Sequence, residues 1–507
     1  MQKPSFRYSQ YSATLTYMQN YDIGKELKKI YQTDKKLLEN TQVPIMTVSA
    51  SFKEDLKGLH RQKEKDTGTD IVLSRAHYSM AMGVAVQAWG EKIDPKKAWL
   101  VDSTNYVSNQ AFRSVIFTHE IGKIIARWPI LKSLKDMVDK FGRSKMPILD
   151  NVTPPTIYLG SGIKKTILSM HIVTGNILAN EGKKVMQMIT DPHVRSDYLE
   201  NAHLPNMRFL VFDEQTKKDF FTLAKKIGKR IPENQIKDKV IVTGPPIDPR
   251  IVAYNQTKQV WTKDRPLKIC LTTGGLGTNK LEIKSILKQL LPVLKQQAGG
   301  QKTDLVPTQL VLYAGTHKDH LDMAIDIAKE NNLAYHIISP KDPAHFRINA
   351  KLKDDMALID NRFSIIYHPQ IVDANELIIQ KAFPFADLFI SKPSGDKAYD
   401  AVVSGSALLT LKEWGEWEYN VREVFEKNGT AQVARVNDIV AQLIEITGNN
   451  EATFKTDKLN SANRPVPNIK TEGQKSWLEQ AMINSKHLDP IFYKGAKNIL
   501  KAVKENN

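Results

Sequence analysis

The stretch "ADLFISKPSGDKAYDAVVSG" (residues 386–405) joins an apolar run to a helical pattern through a Pro-Ser-Gly turn. A short apolar run bounded by turn residues predicts a buried strand, and the spacing that follows predicts a helix. In parallel sheets, ligands bind where the carboxyl ends of strands meet helix N-termini. The stretch therefore predicts an α/β domain with a binding site at this strand-to-helix seam.

The same alternation of strand and helix extends in both directions and forms two series. In the first series, the runs that predict strands lie at 43–52, 97–106, 165–172, 183–191, 207–214 and 239–251. In the second series they lie at 267–275, 308–315, 334–339, 363–369, 386–391 and 406–411. Such alternation is typical of parallel sheets with helices on both faces. We therefore predict two Rossmann-like, doubly wound domains that face a cleft.

Composition places the boundaries of these domains. The predicted units are an N-terminal helical extension (1–42), a first domain (43–253), a linker (254–266), a second domain (267–454) and a helical tail (455–507). The length of 507 residues agrees with more than one domain.

Cysteine content and hydropathy exclude several classes of protein. The chain has one cysteine, Cys270, which lies in an apolar run and is predicted to be a small buried side chain. A disulfide framework and a cysteine-based metal site are excluded, and a reducing compartment is expected. The start "MQKPSFRYSQ" has no apolar signal region, and no run approaches the length of a membrane helix.

The formal net charge of +17 favours a polyanionic partner, either nucleic acid or an anionic membrane surface. The sequence contains no RNA- or DNA-binding motif, so we expect no nucleic-acid partner. Residues 110–148 are basic and amphipathic, which suits a helix lying in a membrane interface. An ordinary amphipathic helix packed on its own domain is the alternative. The predicted membrane contacts are Arg127, Trp128, Lys132 and Lys135.

The turn at 392–400 has the residues that a nucleoside diphosphate needs. Gly395 lets a ligand approach the backbone, and the N–H groups that open the helix favour an anion. Lys397 adds a positive charge, and Asp400 lies one turn after Asp396, where a carboxylate accepts hydrogen bonds from ribose hydroxyls. The alternative is a helix that Asp396 caps, with Asp400 in solvent.

Three further positions are candidates. The glycine loop 271–280 follows a strand but fits neither GxGxxG nor the P-loop, so a plain strand-to-helix turn is its alternative. His77 opens a helix and is either a general base or a structural histidine. Asp191 and His193 follow a strand and either line the cleft or form a turn around Pro192. Their spacing does not build a metal site.

The order of these motifs resembles a glycosyltransferase group (family 28-like) that contains the diacylglycerol glycosyltransferases and monogalactosyldiacylglycerol synthases. "KVIVTGPPIDPRI" (239–251) resembles the segment that closes the N-terminal half of those enzymes. "ADLFISKPSGDKAYDAVVSGSALLTLKEWGEWEYNVREVFEKNG" resembles their nucleotide-sugar segment. The resemblance extends from about residue 43 to about residue 450. It implies a GT-B fold, in which two Rossmann-like domains face a cleft and a C-terminal helix crosses back.

The resemblance also implies roles for individual residues. His77 falls at the position of the base histidine, and Thr190 and Asp191 fall at a Thr-Asp pair. Lys397 falls at the phosphate-loop threonine and Asp400 at the ribose glutamate. The predicted nucleotide-sugar-binding positions are those of the turn (Ser394, Gly395, Asp396, Lys397 and Asp400), those at which the sugar contacts of the resembling family fall (Gly415, Glu416, Trp417 and Asn420), Glu418 one position off that motif, and Gly274, Gly275 and Thr278 of the glycine loop.

The implied function is transfer of a hexose from a UDP-sugar to a hydroxyl of a membrane lipid or lipid-linked acceptor, in glycolipid synthesis. The implied location is the cytoplasm, peripherally on the inner face of the cell membrane, and neither a metal nor another cofactor is expected. The chain departs from the family at "LSRA" (73–76), which replaces a glycine-rich turn, and at Glu416 and Trp417, which replace Gln-Glu. Two alternatives stay open: a UDP-sugar epimerase on the same fold, and a catalytically decayed protein that binds nucleotide sugar and membrane.

Overall fold

The computed structural model describes residues 25–51, 71–107, 147–339, 362–448 and 475–507. The predicted membrane contacts Arg127, Trp128, Lys132 and Lys135, and nearly all of the basic stretch, lie outside these ranges.

The first sheet has six parallel strands in the order β4-β1-β5-β6-β7-β8. Its strands are β1 (Val43–Thr47), β4 (Ala98–Asp102), β5 (Ile167–Ser169), β6 (Val185–Met188), β7 (Met207–Val211) and β8 (Val240–Val242), and β2 (Ala50–Ser51) and β3 (Ile71–Val72) form a small antiparallel pair. The helices around it are α1 (Lys25–Asn40), α2 (Arg75–Trp89), α3 (Pro147–Gly160), α4 (Ile172–Asn180), α5 (Glu214–Lys226), α6 (Glu233–Lys239) and α7 (Pro249–Thr257). The chain reverses its direction across the sheet between β1 and β5, which places a crevice at the carboxyl ends of these strands.

The second sheet has seven parallel strands in the order β11-β12-β10-β9-β13-β14-β15. They are β9 (Leu267–Thr272), β10 (Thr308–Gly315), β11 (His336–Ile338), β12 (Phe363–Tyr367), β13 (Leu388–Ser391), β14 (Ala407–Thr410) and β15 (Ala431–Val433). Its helices are α8 (Lys280–Ala298), α9 (Lys318–Glu330), α10 (Ile371–Leu377), a π-helical segment (Ile378–Ala382), α11 (Phe383–Phe385), α12 (Lys397–Val403), α13 (Glu416–Lys427) and α14 (Ile439–Thr447). Here the winding reverses between β9 and β13, so the glycine loop after β9 and the 392–396 turn flank one crevice.

Apolar packing continues from one domain into the other. A single buried cluster contains Tyr78 from α2, Val311 from β10 and Tyr399 from α12. The rings of Phe212 and Tyr399, which come from different domains, lie 5.2 Å apart in an edge-on arrangement. Burial of aromatic surface therefore holds the two sheets together beside the crevice.

Two C-terminal helices complete the fold. Helix α15 (Trp477–Lys486) contributes Trp477 to the core of the second domain. Helix α16 (Ile491–Glu505) then crosses to the first domain, where the backbone N–H of Thr166 donates to Asn507 Oδ1 at 2.7 Å. The predicted GT-B arrangement, with two doubly wound domains and a crossing C-terminal helix, is confirmed.

The observed elements differ from the sequence expectation in small ways. The structure adds β15, whose three residues and partly exposed face are too short for a hydrophobic pattern to reveal. Residues 254–257 form the last turn of α7, and the rest of the expected linker, 258–266, has no regular structure. Cys270 is fully buried in β9, as predicted, and burial raises the pKa of its thiol.

Candidate active site at the domain seam

The two crevices meet where the 392–396 turn of the second domain touches the end of β6 in the first. A Cβ atom built on Gly395 would lie 2.5 Å from the backbone oxygen of Thr190 and closer still to Asp191 Oδ1. Real Cβ atoms do not approach other atoms so closely, so glycine is required at this contact. The structure thus brings together two predicted site residues that lie far apart in sequence.

Asp191 has the environment of a proton-transfer group. Burial raises the pKa of its carboxyl to about 7, Arg195 opposes the shift, and Glu418 and Asp396 add to it by charge repulsion. The residue keeps part of its surface open, and within the described ranges its carboxylate accepts no hydrogen bond. A carboxyl that titrates near neutral pH is suited to general-base chemistry.

His77 lies beside Asp191 on the same domain. Its Nε2 is 3.1 Å from Thr190 Oγ1, its Nδ1 contacts Ser74 Oγ, and its ring packs edge-on against His171 at 4.7 Å. Helix α2 begins two residues before His77, so the ring is fixed at the mouth of the crevice. Because hydroxyl groups hold both ring nitrogens, His77 is positioned to orient Thr190 and the Asp191 turn.

The turn that opens α12 is a buried ionic cluster. The Ser394 hydroxyl donates to Asp396 Oδ1 at 2.6 Å and accepts the backbone N–H of Lys397. The Lys397 ammonium donates to Asp400 Oδ2 at 3.1 Å and lies 3.9 Å from Asp396. The alternative of an Asp396 cap with a solvated Asp400 is wrong, because Ser394 supplies the capping oxygen and Asp400 is buried.

Charge and burial oppose each other in this cluster. Burial raises the pKa of Asp400 to about 6, although the Lys397 charge acts against the shift. Burial would also raise the pKa of Asp396, but Lys397, Arg75 and the hydrogen bond from Ser394 together lower it. The Lys397 ammonium thus already interacts with two carboxylates, those of Asp396 and Asp400.

A second lysine faces the crevice, and sequence reasoning assigned it no role. Lys392 follows β13 directly, and its ammonium forms an ion pair with Glu418. The other carboxylate oxygen of Glu418 accepts the backbone N–H of Trp414 at 2.8 Å. Glu418 is buried, whereas Glu416 is exposed. Of the two glutamates, Glu418 therefore lies at the site.

The remaining residues of the predicted sugar-binding segment lie at the start of α13. The ring of Trp417 lies over Gly415, where any Cβ atom would collide with it. The Asn420 amide donates across the domain seam to the backbone oxygen of Pro192 at 2.9 Å. Asn420 therefore tethers the segment to the loop that holds Asp191.

The glycine loop after β9 packs against both the turn and the first domain. A Cβ atom on Gly274 would lie 2.6 Å from Thr278 Oγ1 and 2.8 Å from Lys392 Cε. One on Gly275 would lie 3.2 Å from the backbone nitrogen of Arg75. The predicted residues Gly274, Gly275 and Thr278 therefore line the same crevice as the 392–396 turn.

Among the described residues, no group of three or more His, Cys, Asp or Glu side chains is arranged to hold a metal ion. The described helices include none with both the length and the apolar character needed to cross a membrane.

Comparison with known proteins identifies no family for this chain. The sequence matches no protein-family model, and it matches no curated protein. Solved structures that resemble it include a provisionally named UDP-N-acetylglucosamine 2-epimerase from Listeria monocytogenes (10% identity, 92% of this chain and 96% of that chain, TM-score 0.46). MurG from Acinetobacter baumannii (11%, 91% and 99%, 0.41) and a UDP-forming α,α-trehalose-phosphate synthase from Burkholderia vietnamiensis (11%, 92% and 100%, 0.42) also resemble it. Similarity this remote transfers neither an activity nor a substrate to this chain.

Proposed function

We propose that this protein is a glycosyltransferase that moves a hexose from a UDP-sugar to a hydroxyl of a membrane lipid or lipid-linked acceptor. The observation that carries the proposal is the contact of Gly395 with Asp191. Through this contact the Asp191 carboxyl, whose pKa is about 7, lies where the loops after β9 and β13 of the second domain meet. Such switch points are where these domains bind nucleotides.

The proposed chemistry divides between the domains. The acceptor oxygen forms a bond to the anomeric carbon of the sugar while the bond from that carbon to the diphosphate oxygen breaks. Asp191 receives the proton of the acceptor hydroxyl, and the leaving UDP carries the negative charge. His77 acts through Thr190 to hold the Asp191 turn in place. The proposed steps include no metal ion, and backbone N–H groups of the crevice loops would face the leaving charge.

The second domain would bind the nucleotide. The glycine loop 273–279 and the 392–396 turn leave bare backbone at Gly274 and Gly395, where a diphosphate can approach closely. Glu418 is buried at the site and is held by Lys392, so it is the acidic side chain best placed to accept hydrogen bonds from sugar hydroxyls.

Nucleotide binding is tested by thermal unfolding of the wild-type protein with UDP, ADP and GDP at millimolar concentration. A ligand that binds only the folded protein raises its melting temperature by mass action. We expect UDP to raise it most. No shift with UDP, in protein that unfolds cooperatively, would contradict the assignment of the nucleotide site.

The membrane part of the proposal rests on the basic, amphipathic sequence of residues 110–148. Basic residues near an anionic surface contribute about 1 kcal/mol each to binding. We expect the protein to sediment with anionic liposomes and to be released by salt. Replacing Arg127, Lys132 and Lys135 with glutamine should reduce sedimentation. Equal binding to neutral and anionic liposomes would contradict an electrostatic contribution to membrane binding.

A further inference from the structure

We propose that Arg75, which belongs to the first domain, binds the diphosphate of the donor nucleotide at the carboxyl ends of β9 and β10 in the second domain. This inference rests on the proposed function, because the diphosphate is that of the UDP-sugar. It gives a role to the "LSRA" segment, which departs from the glycine-rich turn of the resembling family.

The side chain of Arg75 crosses the domain seam. One terminal nitrogen donates to the backbone oxygen of Thr273 at 2.7 Å, and the other donates to the Tyr313 hydroxyl at 2.9 Å. The guanidinium also lies over the Tyr313 ring, 4.8 Å from its centre. Arg75 is only 3% exposed. The first domain therefore places a buried cation at the carboxyl ends of β9 and β10.

The carboxylate of Asp396 acts on this cation electrostatically, but no carboxylate of the described residues lies within ion-pair distance of it. In the described ranges Arg75 forms no ion pair, both of its hydrogen-bond partners are neutral, and its Nε–H is buried without an acceptor. Arg250, a second arginine at the seam, is instead paired with Asp248 and Glu376 at 2.7 Å each. A buried charge without an ion-pair partner destabilises the fold, and a bound anion would offset this effect.

The surroundings of Arg75 fit a diphosphate. The bare backbone of Gly275 packs directly against Arg75, and on the other side of the loop Thr278 Oγ1 is buried with no hydrogen-bond partner in the described part of the chain. Lys392 reaches the same loop, but Glu418 already neutralises its charge. Arginine is suited to phosphate oxygens because its planar group presents several donors in a fixed geometry.

The position of Arg75 predicts that the protein distinguishes ligands with a diphosphate from ligands without one. Arg75 should strengthen binding of the diphosphate while adding little to binding of the nucleoside. Since the guanidinium comes from the first domain, binding of the anion should also favour the arrangement in which the two domains are in contact at the seam.

The experiment measures the affinities of UDP, uridine and inorganic pyrophosphate by calorimetry at fixed ionic strength. The proteins are wild type, Arg75→Gln, Arg75→Lys and the control Arg435→Gln, which changes net charge equally at an exposed ion pair with Glu445. Loss of a charged hydrogen-bonding group should weaken UDP and pyrophosphate binding roughly 10- to 100-fold in Arg75→Gln. Uridine binding should not change, Arg75→Lys should be intermediate, and Arg435→Gln should match wild type.

An unchanged ratio of UDP to uridine affinity in folded Arg75→Gln would overturn the inference and leave the nucleotide site intact. Pyrophosphate binding that depends on Arg75, without UDP binding, would support the anion site and reject the UDP assignment. Binding of neither ligand by wild type would overturn both. If Arg75→Gln does not fold, Tyr313→Phe keeps the charge but removes the acceptor of one guanidinium nitrogen. The Tyr313→Phe substitution should then weaken binding of UDP more than binding of uridine. Equal weakening of the two would contradict the inference.

Discussion

Asp191 and Gly395 come from different domains and lie in contact, with the backbone of residue 395 seated on the Asp191 carboxylate and the Thr190 carbonyl. The contact places the predicted base directly beside the predicted diphosphate turn. Any side chain at 395 would separate these two parts of the site.

Replacing Gly395 with alanine should therefore lower turnover. The new Cβ atom would force the turn away from Asp191, and misplacement by about 1 Å can cost roughly 100-fold in rate. The melting temperature should change little, because the cores of both domains are untouched. Gly299→Ala is the matched control, since its Cβ atom would make only ordinary contacts at the end of α8. Wild-type turnover in folded Gly395→Ala would contradict this account of the seam.

The two predicted catalytic side chains should respond differently to substitution. If Asp191 is the base, wild-type turnover rises with pH through about 7, where its carboxyl titrates. Asp191→Asn should lower turnover roughly 100-fold or more and remove this pH dependence. His77→Gln should lower turnover less and retain the pH dependence, because His77 acts through Thr190.

Rates measured across pH for both variants, beside the exposed-histidine control His203→Gln, check this assignment. Loss of the pH dependence in His77→Gln and its retention in Asp191→Asn would exchange the roles of the two residues. UDP affinity should be close to wild type in both variants, because neither side chain is assigned a contact with the nucleotide.

The raised pKa of Asp191 also predicts how stability depends on pH. The folded pKa is about 7 and the ordinary value is 3.8, so the folded protein binds the proton more tightly than the unfolded chain does. The protonated carboxyl therefore stabilises the fold at low pH, and this contribution is lost as pH rises through about 7. Asp191→Asn resembles the protonated form and does not titrate. Its free energy of unfolding relative to that of wild type should therefore increase as pH rises from about 4 to about 7.

The expected gain is at most about 1.4 kcal/mol per pH unit. Denaturant unfolding at several pH values measures it, and the exposed Asp304→Asn is the control. Asp400, whose pKa is about 6, also titrates in this pH range. Its effect on stability is the same in wild type and in Asp191→Asn, so it cancels when the two proteins are compared. A difference between variant and wild type that is constant with pH would mean that the Asp191 pKa is not raised.

Lys397 should be needed for stability. Its ammonium lies between the buried carboxylates of Asp396 and Asp400, so Lys397→Met leaves two acidic groups without their nearest cation. Breaking a buried ion pair in this way costs about 3–5 kcal/mol. Denaturant unfolding should show the loss, while Lys427→Met, at an exposed pair with Glu423, should unfold like wild type. Unchanged unfolding of Lys397→Met would contradict the claim that Lys397 stabilises these buried carboxylates.

The sequence predicted the fold well because the fold depends on local patterns. All twelve strands predicted from apolar runs are present, and the helix predicted at 280–297 is Lys280–Ala298. Two strands were missed. The first, β3, has only two residues, and the second, β15, has three and is buried through its pairing with β14. Its position is set by the sheet and not by its own composition.

The site was predicted only in part, because pairing across the seam is not a local property. The resemblance placed His77, Asp191 and Gly395 at a site, and the structure brings them together. It assigned no role to Lys392 or Arg75, whose importance comes from partners far away in the sequence. The departure at "LSRA" was the available signal for Arg75, since it places a charged side chain in a segment where the resemblance led us to expect a glycine-rich turn.

The most direct test of the central claim is an assay of hexose transfer. Wild-type protein is incubated with a panel of UDP-sugars and a membrane lipid extract, and the lipids are analysed by mass spectrometry. We expect one UDP-sugar to yield a lipid heavier by one hexose residue, with release of UDP that requires the extract and that Asp191→Asn abolishes. Formation of a sugar epimer without any lipid product, or no reaction by protein that binds UDP, would contradict the claim.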